Sequence, residues 1–172
     1  TGMKREDVDF KKLTYQVFNN ILIAYPNLNS NINNPTIKGK SFLIKSQYVI
    51  HFADLFRNIF SNMFKHGGVE NQVLRISIII DIANDTLQLE AINSLPNGVD
   101  ESKLNETFKE KIATQGDSYN REGGSGLPKI AKIMKSDLHV TDSKFSMYAK
   151  DGNCFTNICL SIKDLKVDAE KI

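Results

Sequence analysis

The stretch that most constrains this chain is VLRISIIIDI, residues 73–82. Leu74, Ile76, Ile78, Ile80 and Ile82 recur at period two, which places them on one face of a β-strand. Asn84-Asp85 then makes a tight turn into a second strand, TLQLEAI, so the pair reads as a β-hairpin. A lone hairpin is marginal in water, and the rest of the chain has to supply its partners. Residues 6 to about 23 carry Val8, Leu13, Val17, Phe18, Ile21 and Leu22 at helical spacing. A short strand is expected around Thr36 to Ile44. Ser46 is placed to cap a long helix from about Gln47 to His66, closed by Gly67-Gly68. Phe52, Leu55, Phe56, Ile59, Phe60 and Met63 give that helix a wide apolar face. A further helix is predicted from about Pro128 to Lys135, with Leu127, Ile130, Ile133 and Met134 on one side. Two closing strands, about Phe145 to Ala149 and Phe155 to Ile162, are joined by Asp151-Gly152. This order predicts an α+β sandwich, a mixed sheet with helices on one face.

Between these elements lie two irregular stretches. The Asn- and Pro-rich run from Tyr25 to Pro35 is a loop and the one plausible internal boundary. It divides the chain into a helix with its linker (1–35), a main domain (36–165) and a short tail (166–172). Residues 93–126 are rich in Asn, Gly, Ser and Lys, with one short helical piece near Leu104 to Ile112. A stretch of that length without clear periodicity is usually functional or mobile.

Composition narrows the partners. The 172 residues are 41% hydrophobic and 24% charged, which excludes a disordered or fibrous chain. Lys+Arg 22 against Asp+Glu 20 leaves +2, too small a surplus for a dedicated nucleic-acid binder. No apolar run reaches the roughly 18 residues of a membrane span. The start TGMKREDVDF has no apolar signal core; its Thr-Gly ahead of Met3 suggests a piece of a longer protein. Cys154 and Cys159 are too few for a disulfide framework or a zinc site, and their odd spacing puts them on opposite strand faces. A reducing, cytoplasmic setting is expected.

Three segments carry the chemistry. In FRNIFSNMFKHG, Asn58 and Asn62 stand four apart and share a helix face, with Lys65 and His66 completing a polar stripe. An amide oxygen is a hard ligand suited to Mg²⁺, and a lysine can meet a phosphate. The same residues would also serve as an ordinary solvated helix face. In REGGSGLPKIAKIM, Gly123, Gly124 and Gly126 allow close backbone approach, and the following helix start points free amides outward. That is a phosphate cradle or, equally, a glycine-hinged loop; it lacks the Gly-Lys-Ser/Thr ending of a P-loop. In AINSLPNGVD, Asn93 and Ser94 end the second hairpin strand, where an amide could read a purine edge.

Taken together and in this order, the three segments resemble the ATP-binding domain of the GHKL superfamily, which includes gyrase, heat-shock chaperones, histidine kinases and MutL. NIFSNMFKHG resembles the histidine-kinase N box, which implies that Asn62 holds Mg²⁺ and that Lys65 and His66 line the nucleotide. GGSGL resembles the G2 box that ends the ATP lid, which implies phosphate contacts from Gly123, Gly124, Ser125, Gly126 and Leu127. DGNCFTNICLSI is similar to the last strand pair of the family, with Gly152 and Phe155 matching a Gly-Thr-x-Phe pattern and Asn153 in place of Thr. The resemblance spans about Phe42 to Ile162 and implies the Bergerat, or histidine-kinase ATPase, fold: a two-layer α/β sandwich.

The departures are specific. The family's Asp-x-Gly-x-Gly box is degenerate; its Asp bonds the adenine amino group. Asn93 could offer an amide oxygen instead, whereas a gapless alignment on Gly98 puts Ser94 there. Pro128 replaces a glycine and fits a first helical turn. Asn58 stands where ATP-hydrolysing members carry a Glu base. The resemblance therefore implies an ATP/ADP- and Mg²⁺-binding, kinase-like domain. Its acceptor would be a protein partner or an upstream domain of the same polypeptide, because His51, His66 and His139 are not in acceptor settings; His139 is expected in a strand. The alternative is a degenerate module in which nucleotide acts as an interaction switch. In both readings residues 99–123 form a lid that opens without nucleotide.

Overall fold

The computed structural model describes residues 6–26, 32–66, 73–113 and 126–168. In chain order the elements are β1 (Val8–Asp9), α1 (Phe10–Ala24), β2 (Thr36–Lys38), β3 (Leu43–Ile44), α2 (Val49–His66), β4 (Leu74–Asp81) and β5 (Thr86–Ser94). There follow α3 (Glu101–Ala113), α4 (Gly126–Lys132), β6 (Lys144–Lys150) and β7 (Asn153–Ser161). Five strands form one sheet in the order β2-β4-β5-β7-β6. The β2–β4 pair is parallel and every other pair antiparallel, so the sheet is mixed as expected.

The period-two pattern decides which face is covered. Ile76, Ile78 and Ile80 of β4 and Leu87, Leu89 and Ala91 of β5 are all buried, whereas Arg75, Ile79 and Glu90 on the opposite face are exposed. The inner face packs against α1 and α2 through rings and branched chains. Phe10, Phe18, Phe52, Phe56 and Phe60 are each almost wholly buried. Phe56 stacks on Phe60 at 5.7 Å between ring centres and meets Phe10 edge-on at 5.5 Å; Phe18 meets Phe60 edge-on at 5.5 Å. Such pairs add about 0.5–1.5 kcal/mol each beyond the area they bury. The architecture is the two-layer α/β sandwich of the α+β class, with helices on one face.

The N-terminal helix belongs to this same core. Asp9 caps it, its carboxylate accepting from the Lys12 N–H at 3.0 Å. Its entry strand β1 pairs with β3, and Ile44 of β3 bridges Lys166 on the other side.

Four local expectations are corrected. The single strand expected over 36–44 is two strands in different sheets, split at Gly39. Gly39 has φ +95°, and any Cβ there would collide with the carbonyl oxygen of Ile80, so the chain must turn away from β4 at a glycine. Ser46 does not cap α2. Residues Ser46–Tyr48 form a 3₁₀ turn, the Ser46 N–H is taken by the Asp7 carboxylate at 2.8 Å, and the α-helix starts at Val49. His139 lies outside any strand, with φ 54°. The helix after the glycine segment begins at Gly126 and ends in a wide π turn, Ile133–Asp137, closed by the Leu138 N–H on the Ile133 carbonyl at 2.8 Å. Among the described residues no helix is long and apolar enough to cross a membrane.

Candidate functional site

Residues from all three sequence segments meet at one cavity of about 290 Å³ between the helical layer and the end of the sheet. One wall is α2, with Ile59, Asn62, Met63 and His66. A second is the end of β5 and the turn after it, with Asn93, Leu95 and Pro96. Leu104, Thr107, Phe108 and Lys111 of α3 form a roof, Leu127 and Ile130 of α4 close one side, and Met147, Cys154 and Thr156 form the floor. A mainly apolar hollow with a few polar groups is the usual chemistry of a small-molecule site.

Cross-strand pairing settles which strand-end residue enters this cavity. Asn93 pairs with Leu74 and with Cys154, which puts it on the inner face of the sheet, only 5% exposed. Its Nδ2 donates to the Ser94 carbonyl at 3.2 Å. A carbonyl can only accept, so the amide nitrogen is committed to that bond and Oδ1 is the group left to accept one from a ligand. Ser94 points elsewhere: its hydroxyl oxygen accepts from the Val73 N–H at 2.6 Å. Gly98 sits in the turn beyond, at φ +80°, with open space around it and no part in the cavity wall.

Asn62 is the second polar feature. Its buried Nδ2 has no hydrogen-bond partner among the described residues, which is costly unless something supplies an acceptor. The backbone of Gly126 lies against it so closely that a Cβ there would be 2.7 Å from both Nδ2 and Oδ1. The start of α4 and the C-terminal third of α2 therefore approach each other at an amide and a missing side chain. Gly123, Gly124 and Ser125 lie outside the described residues.

The other expected site residues are placed as follows. Leu127 and His66 line the cavity, while Lys65 is exposed beside it on the last turn of α2. Burial holds the His66 imidazole below its ordinary pKa, and the charges of Lys65 and Lys111 push it the same way. Asn58 does not reach the cavity. Its Nδ2 donates to the Asp54 carbonyl at 2.7 Å, and it faces a separate shallow recess between α2 and α4, with Arg57, Ser61 and Lys129. Cys154 lies in the cavity floor, where burial pushes its thiol up to about 11, so it is a neutral wall group. Cys159 is half-buried on the opposite face of β7, as the odd spacing implied.

Sequence reading missed the roof of the site and most of its floor. Leu104, Thr107, Phe108 and Lys111 stand at i, i+3, i+4 and i+7 on α3, the helix expected near Leu104 to Ile112; their shared face is the signal that marks them as a cavity wall. Thr156, 3% exposed, had no local signal at all.

This architecture recurs in solved histidine-kinase structures. The catalytic domain of histidine kinase ThkA, in a nucleotide-free form, has a TM-score of 0.61 at 16% identity, over 91% of this chain and 95% of that one. The histidine kinase domain of the blue-light activated kinase from Erythrobacter litoralis EL346 has a TM-score of 0.62 at 11% identity, over 95% of this chain and 67% of that one. The Acinetobacter baumannii histidine kinase AdeS has a TM-score of 0.58 at 10% identity, over 95% and 70%. At these identities the likeness establishes the fold: that of a histidine-kinase catalytic domain. No curated protein sequence matches the chain. Residues 18–158 match the family described as "y4jQ C-terminal putative histidine kinase domain", and the chain belongs to that family.

Proposed function

We propose that this histidine-kinase-like domain binds ATP or ADP with Mg²⁺ in the cavity and passes the γ-phosphoryl group to an acceptor on a protein partner or another part of the same polypeptide. The observation that carries the reading is convergence: Asn62, Asn93 and Leu127, from three segments far apart in sequence, line one hollow. In this reading the adenine amino group donates to Asn93 Oδ1, while Met63, Leu95 and Ile130 exclude water around the base. The phosphates lie toward Asn62 and the start of α4. A phosphate oxygen would satisfy the buried Asn62 Nδ2, or the amide turned over would offer Oδ1 to the metal, so the residues present fit Mg²⁺. Among the described residues no three His, Cys, Asp or Glu side chains gather around one point. A metal here would thus be held by the Asn62 amide together with phosphates and water, an arrangement common for Mg²⁺. The bound metal would neutralise charge developing on the transferred group.

Asn58 supports transfer over hydrolysis. An amide takes no proton from water, and its Nδ2 is engaged by Asp54. Calorimetric titration of ATP with and without Mg²⁺ tests the reading. Saturable binding is expected, with a Mg²⁺ dependence that Asn62→Ala abolishes. Absence of any thermal shift at millimolar Mg²⁺-ATP would overturn it.

A further inference from the structure

The roof of the cavity is held in an unusual way. Phe108 is the one buried residue described in α3, which leaves the helix little apolar burial to hold it down. Its hold on the sheet is polar instead. Asn105 Nδ2 donates to the Ala149 carbonyl at 3.0 Å, and the Ala149 N–H donates to Asn105 Oδ1 at 2.6 Å. Ala149 belongs to β6, the edge strand of the sheet, so the side-chain amide takes the place of a missing neighbouring strand. One turn earlier on the same helix, Glu101 accepts from the Gly152 N–H at 2.7 Å. The Gly152 carbonyl in turn accepts from the Leu95 N–H at 2.8 Å, and Leu95 is part of the cavity wall. The β6–β7 turn is thus a common post for the roof and for one wall. Its geometry depends on Asp151 and Gly152 at φ 50° and 74°.

We propose that Asn105 is a positioning residue of the nucleotide site: its two-way bond to the Ala149 backbone docks α3, and with it Leu104, Thr107 and Phe108, over the bound base. The proposal rests on the nucleotide reading above. It also changes the expected lid. The helical half of 99–123 is a docked element, and opening requires Asn105 to release the edge strand. Only an amide of this length offers a donor and an acceptor to one backbone residue; aspartate keeps the acceptor alone, and leucine keeps the shape alone.

The test pairs hydrogen exchange of the free protein with calorimetry of Mg²⁺-ATP binding, for wild type, Asn105→Asp and Asn105→Leu. In Asn105→Leu, amide exchange across 104–113 should rise about tenfold or more, as expected for losing two hydrogen bonds that hold one element. Exchange in β4, β5 and β7 should not change. The dissociation constant for Mg²⁺-ATP should rise about three- to tenfold, because only the docked fraction binds. Asn105→Asp keeps the acceptor for the Ala149 N–H but sets its second carboxylate oxygen against the Ala149 carbonyl, so it too should raise exchange and weaken binding, and it carries the test if the leucine variant does not fold. Unchanged exchange over 104–113, or raised exchange with unchanged affinity, would overturn the positioning role while leaving the nucleotide site intact. A wild-type protein that binds no Mg²⁺-ATP would instead sink the nucleotide reading, and the role of Asn105 in it.

Discussion

Gly126→Ala separates the site from the fold more sharply than any other single substitution. Gly126 is the first residue of α4. An alanine there gains about 0.5–1 kcal/mol of helix preference over glycine. Its Cβ, however, would stand 2.7 Å from Asn62 Nδ2 and Oδ1 and 3.1 Å from the carbon between them. Backbone cannot yield easily on either side, but the Asn62 side chain can turn about its own bonds. The two effects oppose each other, so net stability should stay within about 1 kcal/mol. Binding should not. Displacing the amide removes a contact to a charged phosphate or metal, worth about 1.5–3 kcal/mol. That corresponds to a loss of about ten- to a hundredfold in Mg²⁺-ATP affinity. The assay is calorimetry beside thermal unfolding, run as a double-mutant cycle with Asn62→Ala. Because both changes remove the same contact, the double variant should bind no more weakly than Asn62→Ala alone. Unchanged affinity in a folded Gly126→Ala protein would refute the reasoning, as would a loss that simply adds to that of Asn62→Ala.

Three further outcomes are expected. Because Asn93 presents a fixed acceptor, ATP should bind more tightly than GTP, whose guanine O6 opposes Oδ1; Asn93→Leu should cut ATP affinity about tenfold and narrow that preference in competition titrations. His66 is held below its ordinary 6.5, so the unfolded chain takes up the proton first as pH falls. Stability should therefore decline from about pH 6.5 downward until the folded imidazole also protonates, and His66→Gln should flatten that limb in denaturation curves recorded against pH. Phe56→Ala, emptying a site 1% exposed between Phe10 and Phe60, should cost about 3–5 kcal/mol in chemical denaturation without changing which strands pair.

Legibility followed the range of the interaction. Period two in β4 and the broad apolar face of α2 are written in neighbouring residues, so the hairpin, the long helix and the sheet's covered side could all be read directly. Asn62 and Gly126 stood out for the same reason: an unusual polar or flexible residue breaks a local pattern. The split of 36–44 was not legible, because Gly39 is required by the carbonyl of Ile80, a residue far along the chain. Ser46 had every local mark of a cap, yet Asp7, 39 positions earlier, takes its N–H and moves the helix start. The choice between Asn93 and Ser94 shows the limit most plainly. Alternation from Leu87, Leu89 and Ala91 points Asn93 inward, but the adjacent apolar pair Ala91-Ile92 blurs the pattern at the strand end. The pairing of Asn93 with Cys154 and the pull of Val73 on the Ser94 hydroxyl decide it, and both partners come from other strands or their flanks. The roof is the extreme case. Asn105 sits in a short helical piece that the sequence does show, but its role exists only because an edge strand 44 residues later leaves a backbone N–H and carbonyl to be met. Polar residues that bind backbone across such distances leave no periodic trace, and in this domain they hold the roof of the site in place.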